Sequence, residues 1–260
     1  MGIGHPEVEI FGFAEVLAGL GDATMIDNKR PFLSGWSVFF PNGNLPPART
    51  VPGNVDLIYE GEETQQIYLL VDGWACTFKR LSDGTRQIVD INVPGDLLGW
   101  NNLTRGPSDF TTQTLTEVKF YSWPSRQVWG LMNLDPAAGK FLFEKLAYSH
   151  YVLAEHVVNL GRSAPTRTVN LLLELEARLR RASLASGDSY ACPIPQGVLA
   201  DALGITPIHL NRVLRSLRLA NLLSLRDGVV TILNRPKLEA FANFNSEYFD
   251  DTSMAVQMRS

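Results

Sequence analysis

The sequence predicts an α+β chain made of an N-terminal antiparallel β-roll of jelly-roll type, a long dimerisation helix and a C-terminal winged helix-turn-helix. Three observations predict it. Residues 49–132 carry short β-type runs separated by turn residues. Residues 133–163 switch to a helical period with a repeat of seven. Within residues 164–240 a helix, a glycine turn, a second helix and a hairpin follow one another.

Residues 1–48 form an N-terminal extension, in which Pro6 to Leu20 predicts a short helix ahead of the Pro, Gly and Asn-rich stretch KRPFLSGWSVFFPNGNLPPAR. The roll follows as VDLIYE, QIYLLV, WACTFKRL, RQIVDINV, DLLGW, FTTQTLT and VKFYSW, punctuated by GEE, VDG, SDGTR, NVPGD and RGPSD. β-Branched and aromatic residues fit a pleated, half-buried surface, and Asp83-Gly84 suits a tight hairpin. Asp135-Pro136 then opens a helix that runs to about Arg162. Phe143, His150 and Val157 recur every seven residues, and Leu146, Leu153 and Leu160 do so three positions later. A seam of this kind over three heptads is the pattern of a helix paired with its own copy, with His150 as a polar residue that sets register. The competing expectation is a helix packed only on its own roll.

Ser163-Ala164-Pro165 breaks this helix from a second one, Thr166 to about Ala182, whose apolar side is Val169, Leu172, Leu173, Leu175 and Leu179. SLASGDSYACPIP reads as a loop, and residues 241–260 read as a C-terminal tail, frayed from Asp251.

Between these lies the stretch that carries chemistry. Gln196 to Leu203 predicts a short helix ended by Gly204, which suits the left-handed turn between two helices. Thr206 caps the next helix and Pro207 occupies its first position, where a missing N–H costs nothing. Leu210, Val213, Leu214 and Leu217 share one face, while Ile208, Asn211, Arg212 and Arg215 share the other, with His209 at the flank. Helix, four-residue turn and helix form a motif whose second helix enters the major groove of duplex DNA. Arg212 offers a fork to guanine, Asn211 an amide to adenine or phosphate, and Gln196, Thr206 and His209 donors to phosphate. Leu222 to Leu225, Arg226-Asp227-Gly228 and Val229 to Leu233 predict a hairpin beside it, the wing.

A β-roll carrying GEETQQIYLLVDGWACTFKRLSDGTRQIVDINVPGDLLG, a long helix, and LADALGITPIHLNRVLRSLRLANLLSLRDGVVTI at the end resemble the Crp/Fnr family of bacterial transcription regulators. The resemblance covers about residues 49–240, and Thr206 to Arg212 is similar to a T-P-x-H-x-N-R form of the recognition helix. It implies a homodimer on a pseudo-palindromic operator that contacts RNA polymerase. In cyclic-nucleotide-binding members it also implies a glutamate after the glycine of the PGD segment and an arginine followed by a small hydroxyl residue. Here those positions hold Trp100, after Gly99, and Phe110, before Thr111, and Arg105 is offset. A buried cyclic phosphate without its cation costs several kcal/mol, so no cyclic nucleotide is expected. Trp74, Trp100, Phe110 and Thr111 are the candidate pocket for some other small-molecule effector, although an aromatic set of this kind also serves as core.

Composition agrees and excludes other classes. Residues 162–235 hold ten Arg against five acidic residues, a local +5, so the remainder of a chain with net charge −4 carries −9. A basic end inside an acidic chain suits a phosphate-facing surface. Cys76 and Cys192, the two cysteines, are too few for an iron–sulfur cluster, a zinc site or a disulfide framework, and read as small buried thiols. The four histidines, His5, His150, His156 and His209, all lie outside the roll, which argues against haem and against a cupin-like metalloenzyme. The chain also lacks G-x-S-x-G, P-loop and H-E-x-x-H motifs, so no catalytic residues, metal or cofactor are expected. A ligand-binding subunit acting on a protein partner is the remaining alternative, which the winged motif disfavours. With no signal peptide and no run of about 18 apolar residues, a cytoplasmic location without membrane contact is expected.

Overall fold

The predicted β-runs become strands wherever alternating side chains find a facing sheet. The computed structural model describes residues 24–25, 32–33, 36, 39, 44–104 and 106–249; the expected helix over Pro6 to Leu20 and the tail from Asp251 lie outside them. The described chain opens with a short pair, β1 (Thr24–Met25) and β2 (Asn44–Leu45). The roll is then β3 (Arg49–Val51), β4 (Asp56–Ile58), β5 (Gln66–Asp72), β6 (Ala75–Arg80), β7 (Arg86–Asn92), β8 (Leu97–Leu98), β9 (Thr111–Thr114) and β10 (Val118–Pro124). These form two antiparallel four-stranded sheets, ordered β3-β10-β5-β8 and β4-β9-β6-β7. Gly73 turns the chain from β5 into β6 at φ +82°, where a Cβ would come within 2.1 Å of the Glu117 carbonyl oxygen, so only glycine fits. At the β6–β7 hairpin Asp83 Oδ1 accepts from the Thr85 N–H and hydroxyl, which closes the predicted Asp-Gly turn.

Helices follow: α1 (Ser125–Leu134), α2 (Pro136–Leu160) and α3 (Ala164–Arg181). The last eight residues of the expected roll domain, 125–132, are helical and bury Val128 and Leu131. Asp135 Oδ1 accepts from Ala137 N at 2.8 Å, and Pro136 follows as the first residue, so α2 begins where the Asp-Pro pair predicts. α2 buries Ala138, Leu142 and Val152 on the roll side. Its other side exposes Phe143 (72%), Val157 (61%) and Leu160 (55%), with His150 and Leu153 also exposed. Leu146 is half-buried and packs on the roll-side core.

The last part is β11 (Ser189–Ala191), α4 (Gln196–Leu203), α5 (Pro207–Leu219), β12 (Leu223–Arg226), β13 (Val229–Ile232) and α6 (Arg235–Ala242). β11 lies in the stretch read as a loop and completes a sheet of order β11-β13-β12. Ala242 and Phe249 are buried, so the expected tail, residues 241–260, begins inside packed structure.

The described part of the N-terminal extension also packs. Leu33, Trp36, Phe39 and Leu45 are buried with Trp123 of β10 and Leu142 of α2. Trp36 stacks on Trp123 at 6.4 Å and meets Phe141 edge-on at 5.0 Å. Such aromatic pairs add about 0.5–1.5 kcal/mol each beyond area burial. Among the described residues no helix is long and apolar enough to cross a membrane.

Candidate nucleic-acid interface

α4 begins after Pro195 with no side-chain cap and ends at Gly204 in the left-handed conformation, φ +61°. Thr206 Oγ1 then accepts from His209 N at 3.2 Å, which fixes the start of α5. Leu210, Val213, Leu214 and Leu217 are buried beneath α5, each worth about 1.5–3 kcal/mol of apolar transfer. That face orients the other. Ile208, His209, Asn211, Arg212 and Arg215 are exposed as one row, and Gln196 is exposed at the start of α4. Thr206, Ile208, His209, Arg212 and Ser216 line a shallow concavity of about 480 Å³ along this row. Asn211 Nδ2 donates to the Pro207 carbonyl at 3.0 Å, so part of its amide is turned onto its own helix in the DNA-free chain.

β12 and β13 make the wing. Asp227 (φ +50°) and Gly228 (φ +70°) form its two-residue turn, with the left-handed pair that matches the twist of a hairpin. Arg226 is exposed at its tip.

The reading head is anchored on the roll. Cys76, Phe78, Ile88, Ile91 and Val93 of the β6–β7 sheet share one apolar core with Leu172, Leu199 and Leu203. Both thiols are buried, and burial pushes Cys76 and Cys192 up to about 11, so neither is a ready nucleophile. Arg86 of β7 donates to Asp201 of α4 at 2.8 Å, and Gln87 donates to the Asp201 carbonyl at 3.2 Å. Deeper, Arg178 of α3, 4% exposed, donates to Asp96 at 2.7 Å, Glu174 at 2.9 Å and Asp90 at 3.1 Å. Glu174, 3% exposed, also meets His156 of α2 at 2.7 Å, and the other ring nitrogen of His156 lies 3.2 Å from the Val89 carbonyl. Burial alone would lower the His156 pKa. The Glu174 charge and hydrogen bond, with Asp90 behind, outweigh it and raise His156 to about 9. The imidazolium therefore donates to both partners at neutral pH. From Asp90 the hydrogen bonds continue through Asn92 and Thr77 to Thr112 inside the roll. The sequence reading missed this cluster.

Comparison with known proteins decides the family. Residues 48–135 match the cyclic nucleotide-binding domain and residues 166–241 match the Crp-like helix-turn-helix domain. The chain belongs to the Crp/Fnr family of transcription regulators. It is 27% identical over 184 residues to the nitrogen fixation regulation protein FixK of Bradyrhizobium diazoefficiens, covering 70% of this chain and 76% of that protein. It is 26% identical to the transcriptional activator protein FnrL of Cereibacter sphaeroides, covering 78% of this chain and 81% of that one. The solved structure of FixK2 from Bradyrhizobium japonicum superposes with a TM-score of 0.67 at 25% identity, covering 75% of this chain and 96% of its own. This chain is thus a DNA-binding transcription regulator of the Crp/Fnr type, with the architecture its sequence predicts.

In this Crp/Fnr protein the residues of the expected effector pocket differ in their surroundings. Trp74 is buried in the core shared with the reading head, whereas Trp100 is 46% exposed on a short 3-10 turn. Thr111 is buried, and its hydroxyl accepts from the Glu60 N–H at 3.2 Å. Phe110 is half-buried under Lys79, whose ammonium lies 5.7 Å from the ring centroid, pairs with Glu60 at 2.9 Å and donates to the Asp109 carbonyl. Strand alternation makes the roll legible but does not tell a pocket wall from a core wall, and Trp74 stands in a core wall. Arg105 lies outside the described residues.

Proposed function

We propose that this regulator acts as a homodimer on a pseudo-palindromic operator, is not controlled by a cyclic nucleotide, catalyses no reaction, and contacts RNA polymerase as the family resemblance implies. One observation carries the reading: α5 exposes Ile208, His209, Asn211, Arg212 and Arg215 as one row over a buried leucine face. A helix built only for packing has no use for that row. The exposed stripe Phe143, Leu153, Val157 and Leu160, with the polar His150 among them, supports the dimer, because an isolated chain would leave these four apolar side chains in water.

The test is binding to operators selected from random DNA. Arg212→Ala is expected to cost about 1–3 kcal/mol and to relax one base position in each half-site, with log K for the parent falling linearly as log salt rises. An unchanged affinity on the selected site refutes the recognition-helix assignment. For the sensor, calorimetry of the parent with cyclic AMP is expected to give no heat of binding. The Phe110 position is apolar and the nearby Lys79 is already held by Glu60 and Asp109, so a phosphate would have to displace both. A saturable micromolar isotherm refutes this part of the reading.

A further inference from the structure

A cavity of about 300 Å³ lies away from the DNA-facing row, between α2, α3 and the segment that follows α6. Tyr151, Glu155, Asn159 and Arg162 line it from α2 and the turn after it, at spacings of four, four and three that put them on one stripe of the helix. Asn170 and Glu174 of α3 close the far side, and Phe244 and Phe249, stacked at 5.4 Å, form an aromatic wall.

The wall is polar and its charges are balanced. Glu174 is held by His156 and Arg178, and the other charges facing the cavity among the described residues are Glu155, which accepts from the Tyr151 hydroxyl at 3.1 Å, and Arg162. Arg162 gives Nη1 to the Ala242 carbonyl at 2.8 Å, which fixes the guanidinium while leaving most of its five donors for another acceptor. Asn159 Oδ1 is a buried acceptor without a hydrogen-bond donor among the described residues. A buried amide oxygen in that state costs free energy unless a ligand or water supplies the donor.

From this geometry we infer that the cavity is a binding site for a small zwitterion, a free α-amino acid. Its ammonium group is taken by the Glu155 carboxylate and, on a turn of the amide into the cavity, by Asn159 Oδ1, its carboxylate by Arg162, and its side chain lies against Phe244 and Phe249. A cavity of about 300 Å³ is at the small end of ligand pockets, which suits a molecule of this size. The site is distinct from the roll interior, and it borders Glu174, so an occupant touches the ion cluster that ties α3 to the roll.

The experiment is a thermal-unfolding screen of the full chain without DNA against each of the twenty standard amino acids, followed by calorimetry on any that raise Tm, with cyclic AMP as a comparator. At least one amino acid is expected to raise Tm saturably, and Glu155→Gln and Arg162→Gln are each expected to weaken it by about tenfold, or about 1.4 kcal/mol. Arg162 also holds the Ala242 carbonyl; Glu155→Gln keeps that contact and an oxygen that can still accept from the Tyr151 hydroxyl, so its unliganded Tm, measured beside the parent's, separates loss of binding from loss of folding. The inference is overturned if no amino acid shifts Tm, or if those that do bind both variants as tightly as the parent. No operator enters the measurement, so its failure leaves the DNA-binding reading untouched.

Discussion

Arg178→Met lowers the unfolding free energy by about 3–5 kcal/mol, measured by denaturant titration of the purified protein, because the substitution takes the cation from Asp90 and Asp96 and leaves Glu174 with His156 alone. Glu174 is 3% exposed and Asp96 18% exposed, so water relieves them poorly, and Asp90, 32% exposed, is relieved more. A loss below about 1 kcal/mol would show that the cluster holds nothing together. The same cluster makes stability depend on pH. His156 is raised from 6.5 in the unfolded chain to about 9 in the folded one, so its contribution is complete below about pH 6.5 and is lost as pH rises through 9. His156→Gln is expected to flatten that part of the profile.

Leu153→Arg converts the protein to monomers in sedimentation velocity and lowers operator affinity by about 10²–10⁴-fold, the span that joining two half-site contacts supplies. Leu153 lies in the exposed stripe of α2 between His150 and Val157. An arginine there would face its own copy across the seam, two like charges in an apolar setting. The α5 row is untouched, so a folded monomer that has lost its operator separates the dimer from the reading head. A variant that remains dimeric refutes the heptad argument.

What could be read from the residues alone follows from how local each signal is. The roll strands show themselves because side chains alternate within each, and α5 because Thr206, Pro207 and the leucine spacing all lie within thirteen residues. β11 has three residues and exists only through its pairing with β13, some forty positions away. α1 escapes notice because it follows a strand directly, has no side-chain cap and contains Gly130. α6 had a readable start, Asn234 capping ahead of Pro236, which the wing hairpin overshadowed. The ion cluster has one local pair, Glu174 and Arg178, but Asp90 stands 88 positions from Arg178 in sequence, beyond any periodicity. Asn159 and Arg162 gain meaning only once the segment after α6 folds back over them.

The single core running from Phe78 and Ile88 into Leu199 and Leu203 bears on how such regulators can be recombined. Although the chain divides cleanly along its length into roll, spacer helix and reading head, the hydrophobic interior crosses that division. A chimera that grafts a foreign reading head after residue 163 would inherit the outer face of the β6–β7 hairpin as a mould cast for a different partner. Exchangeable specificity in this architecture therefore travels with two strands of the roll, not with the last third of the chain alone.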